Sequence, residues 1–304
     1  MNPVLATVSV AAVERLSPSY VRIELAGPDL ADFGVDGPLY DQRIKLLFPG
    51  PSGTLPTLGA DWWGDFMALP EDERGHVRTY TIREVRGTGA DTRLVVDFVL
   101  HPDDHGPGSS WAGHAAEGDR ILVLCPRRGE PFGGIEFVPG DAERVLLVGD
   151  ETAVPAVAAI LSHLPAEARG AAFLEVPHAA DVQDLIGPAG VTMTWLPREG
   201  VALGKLLHAA VLEHVGADVP PPVVADDEVD PDLWETPGWS SSGEEVAPAP
   251  AVPDCGPLAG LYAWIAGEAK VVTGLRKVLV SELGMDRRQV SFMGYWRRGV
   301  AMRS

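Results

Sequence analysis

Residues 78 to 83 read Arg-Thr-Tyr-Thr-Ile-Arg, which gathers cations, hydroxyls and an aromatic ring on one short extended segment. Side chains of a strand alternate between its faces. Arg78 and Tyr80 therefore share a face, while Thr81 at the next position can reach around a flat ring with its hydroxyl. An arginine can fork onto a pyrophosphate, and a tyrosine can stack on an isoalloxazine. The set suits a flavin, and equally suits an edge strand with a core tyrosine.

A second group lies about twenty residues downstream. Val95 to Leu100 has the apolar character of a strand, and His101-Pro-Asp-Asp-His-Gly-Pro-Gly-Ser-Ser-Trp-Ala112 follows it. A Gly-Pro-Gly-Ser-Ser turn opening a short helix from Trp111 to Ala116 aims unpaired N–H groups at an anion, a way to cradle phosphate without charge. Two His beside two Asp raise the question of a metal. The cluster is loop-borne, Pro-interrupted and lacks the helical spacing that would present both imidazoles together, so no metal is assigned.

A third group begins with the buried-strand run Arg144 to Val148. It enters a tight turn at Gly149-Asp-Glu-Thr152 and continues into an apolar helix through Leu164. The segment is similar to the first β-α turn of a nucleotide domain, but G-x-G-x-x-G is absent. Asp150 and Glu151 would repel a pyrophosphate lying on this turn. A less charged group, such as a nicotinamide ring, is expected here instead.

The order of these segments resembles the siderophore-interacting proteins, flavin-dependent ferric-siderophore reductases of the ferredoxin-reductase superfamily. The matching stretches are Arg78 to Arg83, His105 to Ala112, Leu147 to Ala153, Trp264-Ile-Ala-Gly-Glu-Ala269 and Gly294-Tyr-Trp-Arg-Arg-Gly299. The resemblance implies bound FAD, NADPH or NADH as donor, and a ferric siderophore, an anionic chelate, as acceptor. It gives Arg78, Thr79, Tyr80, Thr81, His101, Gly108, Ser109, Ser110, Trp111 and Ala112 to the FAD, with Tyr80 packed on the ring and Thr81 near its N5. It gives Gly149, Asp150, Glu151 and Thr152 to the nicotinamide, and Arg198 to a 2′-phosphate. Lys45, Arg127, Arg128, Arg297 and Arg298 match places where the family puts basic residues toward the chelate. Here Arg-Gly-Glu-Pro-Phe stands where a simpler Arg-Gly-Ser-type turn is typical, which leaves open which of Arg127 and Arg128 points inward. Hydride transfer needs positioning rather than a named acid or base. Alternative readings are a flavin reductase acting on a quinone, free flavin or ferredoxin, and a siderophore-binding protein without turnover.

These residues need a frame, and 304 residues with 46% hydrophobic content are enough for two domains. From Ala6 to Pro126, six β-type runs separated by turn residues predict a six-stranded antiparallel Greek-key barrel, Val77 to Val85 being one of the runs. After about residue 140, strands alternate with helices. A Rossmann-like domain with a five-stranded parallel sheet is expected, its ligands at the carboxyl edge. The expected division is 1–140 and 141–304, with a Pro-rich, acidic insertion near 217–257. Trp234 and Trp239 inside it predict that Leu233 to Trp239 docks on the second domain while its flanks stay mobile.

A formal charge of −19 disfavours nucleic acid or an acidic membrane as partner. No apolar run of membrane-spanning length and no signal-type N-terminus occurs, so a cytoplasmic protein, monomeric by default, is expected. Cys125 and Cys255 form no cluster or haem pattern. Any redox chemistry must therefore ride on an organic cofactor. From Leu206 to Ala269 there is no Lys or Arg, and from Lys270 onward cations dominate, a local exception that could gather an anion.

Overall fold

The computed structural model describes residues 2–101, 106–217, 219, 224–230, 233–238 and 258–300. Pro102 to His105, Trp239 and Cys255 lie outside them, and with them most of the His- and Asp-bearing loop and the far end of the expected docking segment. The chain divides into two compact units, Met1–Ile135 and Glu136–Met302. Among the described residues no helix is long and apolar enough to cross a membrane.

The first unit is a curled antiparallel sheet of β1 (Val4–Arg15), β2 (Tyr20–Ala26), β3 (Arg43–Phe48), β4 (His76–Thr81), β5 (Glu84–Arg86), β6 (Arg93–Val99) and β7 (Arg120–Cys125). Its order is β4-β3-β7-β1-β2-β6-β5. Alternation is what buries it: Val4, Ala6, Val8 and Val10 of β1 all point into one core, with Ile23, Leu25, Val96 and Phe98 from the neighbouring strands. The strand count is seven, not six. The run read as one strand is two: residues 76–81 pair with β3, and Glu84 to Arg86 pair with β6. Between them Ile82 N donates to Gln42 O and Arg83 N to Val95 O. One extended segment thus passes from one edge of the sheet to the other, joining the edges covalently.

Two short helices, α1 (Trp62–Ala68) and α2 (Glu71–Arg74), fill the β3–β4 connection, where no helix was expected. Asp61 starts the first by accepting from Gly64 N at 3.2 Å. Helix α3 (Pro107–His114) follows β6 and begins four residues earlier than its sequence suggested. It seats Trp111 against Phe48 (5.3 Å between ring centroids) and Phe98 (5.8 Å).

The second unit is built on β8 (Arg144–Gly149), β9 (Arg169–Val176), β10 (Gly190–Pro197), β11 (Trp234–Glu235), β12 (Leu261–Glu268) and β13 (Val290–Trp296). The order is β10-β9-β8-β12-β13-β11. Five strands are parallel, as the alternation with helices required. The sheet nevertheless has six: β11, from the acidic insertion, adds an antiparallel edge against Phe292 and Met293. Trp234 stacks on Tyr295 (5.8 Å, 13°), and Leu233 is buried, so the start of the expected docking segment covers what would be an open sheet edge.

Helices α4 (Val154–His163), α5 (Lys205–His214) and α6 (Ala269–Arg276) cover the sheet, the last widening into a π-helical turn over Lys277–Glu282. Leu207 and Val211 of α5 share a core with Val272 and Leu275 of α6. The strand order reverses between β8 and β12, where an open parallel sheet leaves a crevice at its carboxyl end.

Candidate functional site

In the first unit, β4 and the opening of α3 meet. The ring of Tyr80 lies 4.5 Å from that of Phe98 and 6.1 Å from that of Phe48, and burial raises its phenol well above the usual range. Its hydroxyl abuts the backbone of Gly108. A Cβ placed on Gly108 would sit 2.0 Å from Tyr80 Oη, closer than any real contact, so only glycine lets the helix approach this ring. The α3 N-cap, Gly106, offers no side-chain cap, and first-turn amides have no partner within the helix. Ser110 N already donates to Gly106 O at 2.9 Å. From Ser110 through Trp111 and Ala112 the amides therefore enter the helical ladder, with Gly108 and Ser109 in the first turn ahead of it. Ser109 Oγ accepts from His101 N at 3.1 Å, which ties the end of β6 to this turn.

Arg78 is half-buried and faces Leu46 across the ladder. Burial lowers its pKa, and its Nη1 donates to Val77 O at 2.7 Å. Thr81 is buried and Thr79 exposed. Arg83, last in the motif, turns away to lie 3.9 Å from Asp97. Lys45 stands opposite Thr79 on β3 and donates to its Oγ1 at 2.7 Å; burial, then the Arg43 guanidinium, lower its pKa. Arg127 and Arg128 are both engaged at the 3₁₀ turn Pro28–Asp32 and the residues just after it. Arg127 pairs with Asp32 and donates to Asn2 O. Arg128 donates to Phe33 O at 3.2 Å, its stem packed beneath Gly34.

In the second unit, Asp150 is 1% exposed and turned inward. One oxygen accepts from Thr152 N (2.9 Å) and Thr152 Oγ1 (2.6 Å), the other from Glu268 N (2.7 Å) and Trp296 Nε1 (2.8 Å). Burial, then the adjacent Glu151, push its pKa up to about 7, against the pull of these donors. The carboxylate fastens the carboxyl ends of β8, β12 and β13 to one another. Its repulsion of a ligand, expected from sequence, is therefore muted by position. Gly149 makes the turn possible: a Cβ there would meet Ala153 Cβ at 2.4 Å.

Arg198, expected at a 2′-phosphate, is engaged within the protein. It forks onto Glu151 at 2.6 and 2.9 Å and lies 3.6 Å from Glu175, with exposures of 13%, 3% and 0% for the three side chains. Two buried carboxylates hold one guanidinium, so its donors already face acceptors within the protein. Glu175 is also pushed up by burial, offset by the N–H of Gly204 and by Arg198.

The basic C-terminal segment is likewise largely committed. Arg276 forks onto Glu235 at 2.6 and 3.1 Å, Arg287 is 3.4 Å from the same carboxylate, and Arg288 pairs with Asp286. Arg297 and Arg298 do reach a cleft of about 570 Å³, together with Lys205, His208, Glu268 and Lys270. Lys205, Lys270 and the insertion's Asp226 carried no expected role. The two lysines are the cations that bracket the Lys- and Arg-free stretch, and that uneven charge distribution was the signal that could have found them.

Residues 142–299 match the family model described as siderophore-interacting protein, and residues 9–130 match the siderophore-interacting FAD-binding domain. A siderophore utilization protein from T. fusca superposes with a TM-score of 0.67 at 31% identity, covering 100% of this chain and 97% of that one. The ferric vibriobactin reductase ViuB of Vibrio cholerae is 28% identical over 93% of this chain and 86% of that protein. An NADPH-dependent ferric-chelate reductase of Escherichia coli is 32% identical over 66% of this chain and 74% of that protein.

Proposed function

The chain belongs to the siderophore-interacting protein family, and from that membership we propose that it is an FAD-dependent reductase taking electrons from NADPH and delivering them to a siderophore-bound iron(III). The observation that carries the reading is the close packing of the Tyr80 hydroxyl on Gly108, which joins the arginine-bearing strand and the amide-bearing turn into one cradle. FAD, when bound, accepts electrons in a pair and passes them singly, the conversion an iron(III) acceptor requires.

The chain's residues hold and orient. Arg78 and the amides of Gly108 and Ser109 bind the pyrophosphate; Tyr80 and Thr81 border the flat ring; the Gly149 to Thr152 turn, fixed by Asp150, borders the nicotinamide. The acceptor reading draws on the relatives, whose names specify a ferric vibriobactin reductase and a ferric-chelate reductase. One-electron reduction releases the metal because siderophores hold iron(III) far better than iron(II). An iron(II)-selective chromogenic chelator present during turnover tests this. Colour developing only with FAD-loaded protein, NADPH and a ferric siderophore together supports the reading, and colour without protein-bound FAD defeats it.

Lys45 is assigned to the anionic chelate. It is half-buried beside Thr79 and, among the described residues, carries no carboxylate among its hydrogen-bond partners, so an approaching anion gains an unshared charge. Lys45→Ala is expected to raise the KM for the ferric siderophore about tenfold, the scale of one charge-assisted contact, with flavin content unchanged. Loss of flavin in that variant would make Lys45 structural instead.

A further inference from the structure

The cleft of the second unit opens where the N-termini of α5 and α6 come together beside the exit of β13. Lys205, Lys270, Arg297 and Arg298 line it, and its volume of about 570 Å³ is in the range of small-molecule sites. Two carboxylates accompany these cations. Glu268 is committed as the cap of α6: it accepts from Lys270 N at 2.9 Å, from Val271 N at 3.1 Å and from Arg298 N at 3.2 Å. Asp226, from the insertion, is the other. Its Oδ1 accepts from Lys270 Nζ at 3.0 Å, and its backbone oxygen accepts from Arg297 Nη2 at 2.9 Å. Among the described residues, the Lys205 and Arg298 side chains in this lining have no carboxylate partner.

The segment carrying Asp226 is held by its flanks rather than by the acid. Val224 and Val229 are buried at 5% and 4% and pack with Ala269 at the start of α6. The acid itself is loosely held: its side chain is 86% exposed and that of Lys270 45% exposed. An ion pair between two such exposed groups contributes little. A phosphate brings up to two charges and several acceptor oxygens to the same cations, so it outcompetes a single carboxylate without dislodging the apolar anchors.

We propose that Asp226 is a specificity-determining residue, an anion built into the chain that occupies the phosphate position of this cleft and yields it to the 2′-phosphate of the nicotinamide donor. The assignment rests on the NADPH reading above. It replaces the expectations that Arg198, already engaged by Glu151, meets that phosphate and that Arg297 and Arg298 face the chelate. It also accounts for the bracketing of the insertion by Lys205 and Lys270: the stretch without cations carries its own acid to the cations at either end.

Titration calorimetry with adenosine 2′,5′-bisphosphate and with adenosine 5′-monophosphate, on the FAD-loaded full chain, tests the proposal without turnover. Asp226→Asn is expected to tighten the bisphosphate about three- to tenfold and to leave the monophosphate within about twofold, the scale of one exposed charge pair and its repulsion. Lys205→Ala is expected to weaken the bisphosphate by a similar factor. Unchanged bisphosphate affinity in Asp226→Asn, equal tightening of both nucleotides, or no bisphosphate binding by the wild-type chain would each overturn it. If NADPH fails to reduce the flavin while the calorimetric pattern holds, the donor reading falls and the cleft assignment stands.

Discussion

Replacing Gly108 with alanine is expected to weaken FAD binding by about 5- to 150-fold, the equivalent of about 1–3 kcal/mol of overpacking. The new methyl would lie 2.0 Å from Tyr80 Oη and 3.0 Å from Tyr80 Cζ. Tyr80 has little room to retreat, with Phe98 at 4.5 Å and Phe48 at 6.1 Å behind it. The strain therefore falls on α3, whose first turn tilts and carries the Gly108 and Ser109 amides away from the anion. Since the worst contact is with the hydroxyl, adding Tyr80→Phe to Gly108→Ala should restore part of the affinity, a coupling that a double-mutant cycle isolates. Fluorescence titration of the apoprotein with FAD measures it. Wild-type affinity in Gly108→Ala would remove this cradle from the FAD site.

Arg198→Ala is expected to cost about 3–5 kcal/mol of stability, because it strands two buried carboxylates. Glu151 loses both members of its fork, and Glu175, with no exposure, loses the charge that offset its burial. The unfolding temperature should fall by about 6–20 °C. Glu151→Gln in the same background should recover part of the loss, since the removed charge no longer needs a partner. The ratio of NADPH to NADH efficiency should remain at the wild-type value. A normally stable Arg198→Ala protein that has lost its preference for NADPH would return the 2′-phosphate to Arg198.

Both residues show where sequence reading reaches and where it stops. Period-two alternation in Val4, Ala6, Val8 and Val10 was sufficient to place β1, and the change to strand-helix alternation was sufficient to place the parallel sheet. Hydrogen-bond partners leave no local trace. The run from Val77 to Val85 is a single extended segment in sequence, and only its pairing, first with β3 and then with β6, divides it. Strand β11 is two residues long, too short for any periodicity, and its signs were Trp234 and Trp239 within a Pro-rich, acidic stretch. Helix α1 was obscured by Gly64 within it and Pro70 just after it, although Asp61 was a legible start.

The candidate site divides the same way. Gly108 and Tyr80 were legible as residue types, and their mutual contact was not. The positive charge of Arg198 was legible, but Glu151 lies 47 positions away, and no spacing rule links them. Asp150 was read as a charge that repels a pyrophosphate on its turn; four donors from Thr152, Glu268 and Trp296 hold it inward. The opposite case is Lys205 and Lys270. The absence of Lys and Arg between them was plain in the sequence, and the chain folds the two boundaries of that absence into one cleft.

The most direct measurement is an anaerobic two-step spectrum of the purified, FAD-loaded protein. NADPH alone should bleach the flavin absorbance, and two equivalents of a ferric siderophore added afterwards should restore it, with two equivalents of iron(II) appearing per flavin reoxidised, as the transfer of single electrons requires. A flavin that NADPH bleaches but a ferric siderophore leaves reduced would contradict the assignment of the acceptor. A protein that cannot be loaded with FAD would contradict the reductase itself.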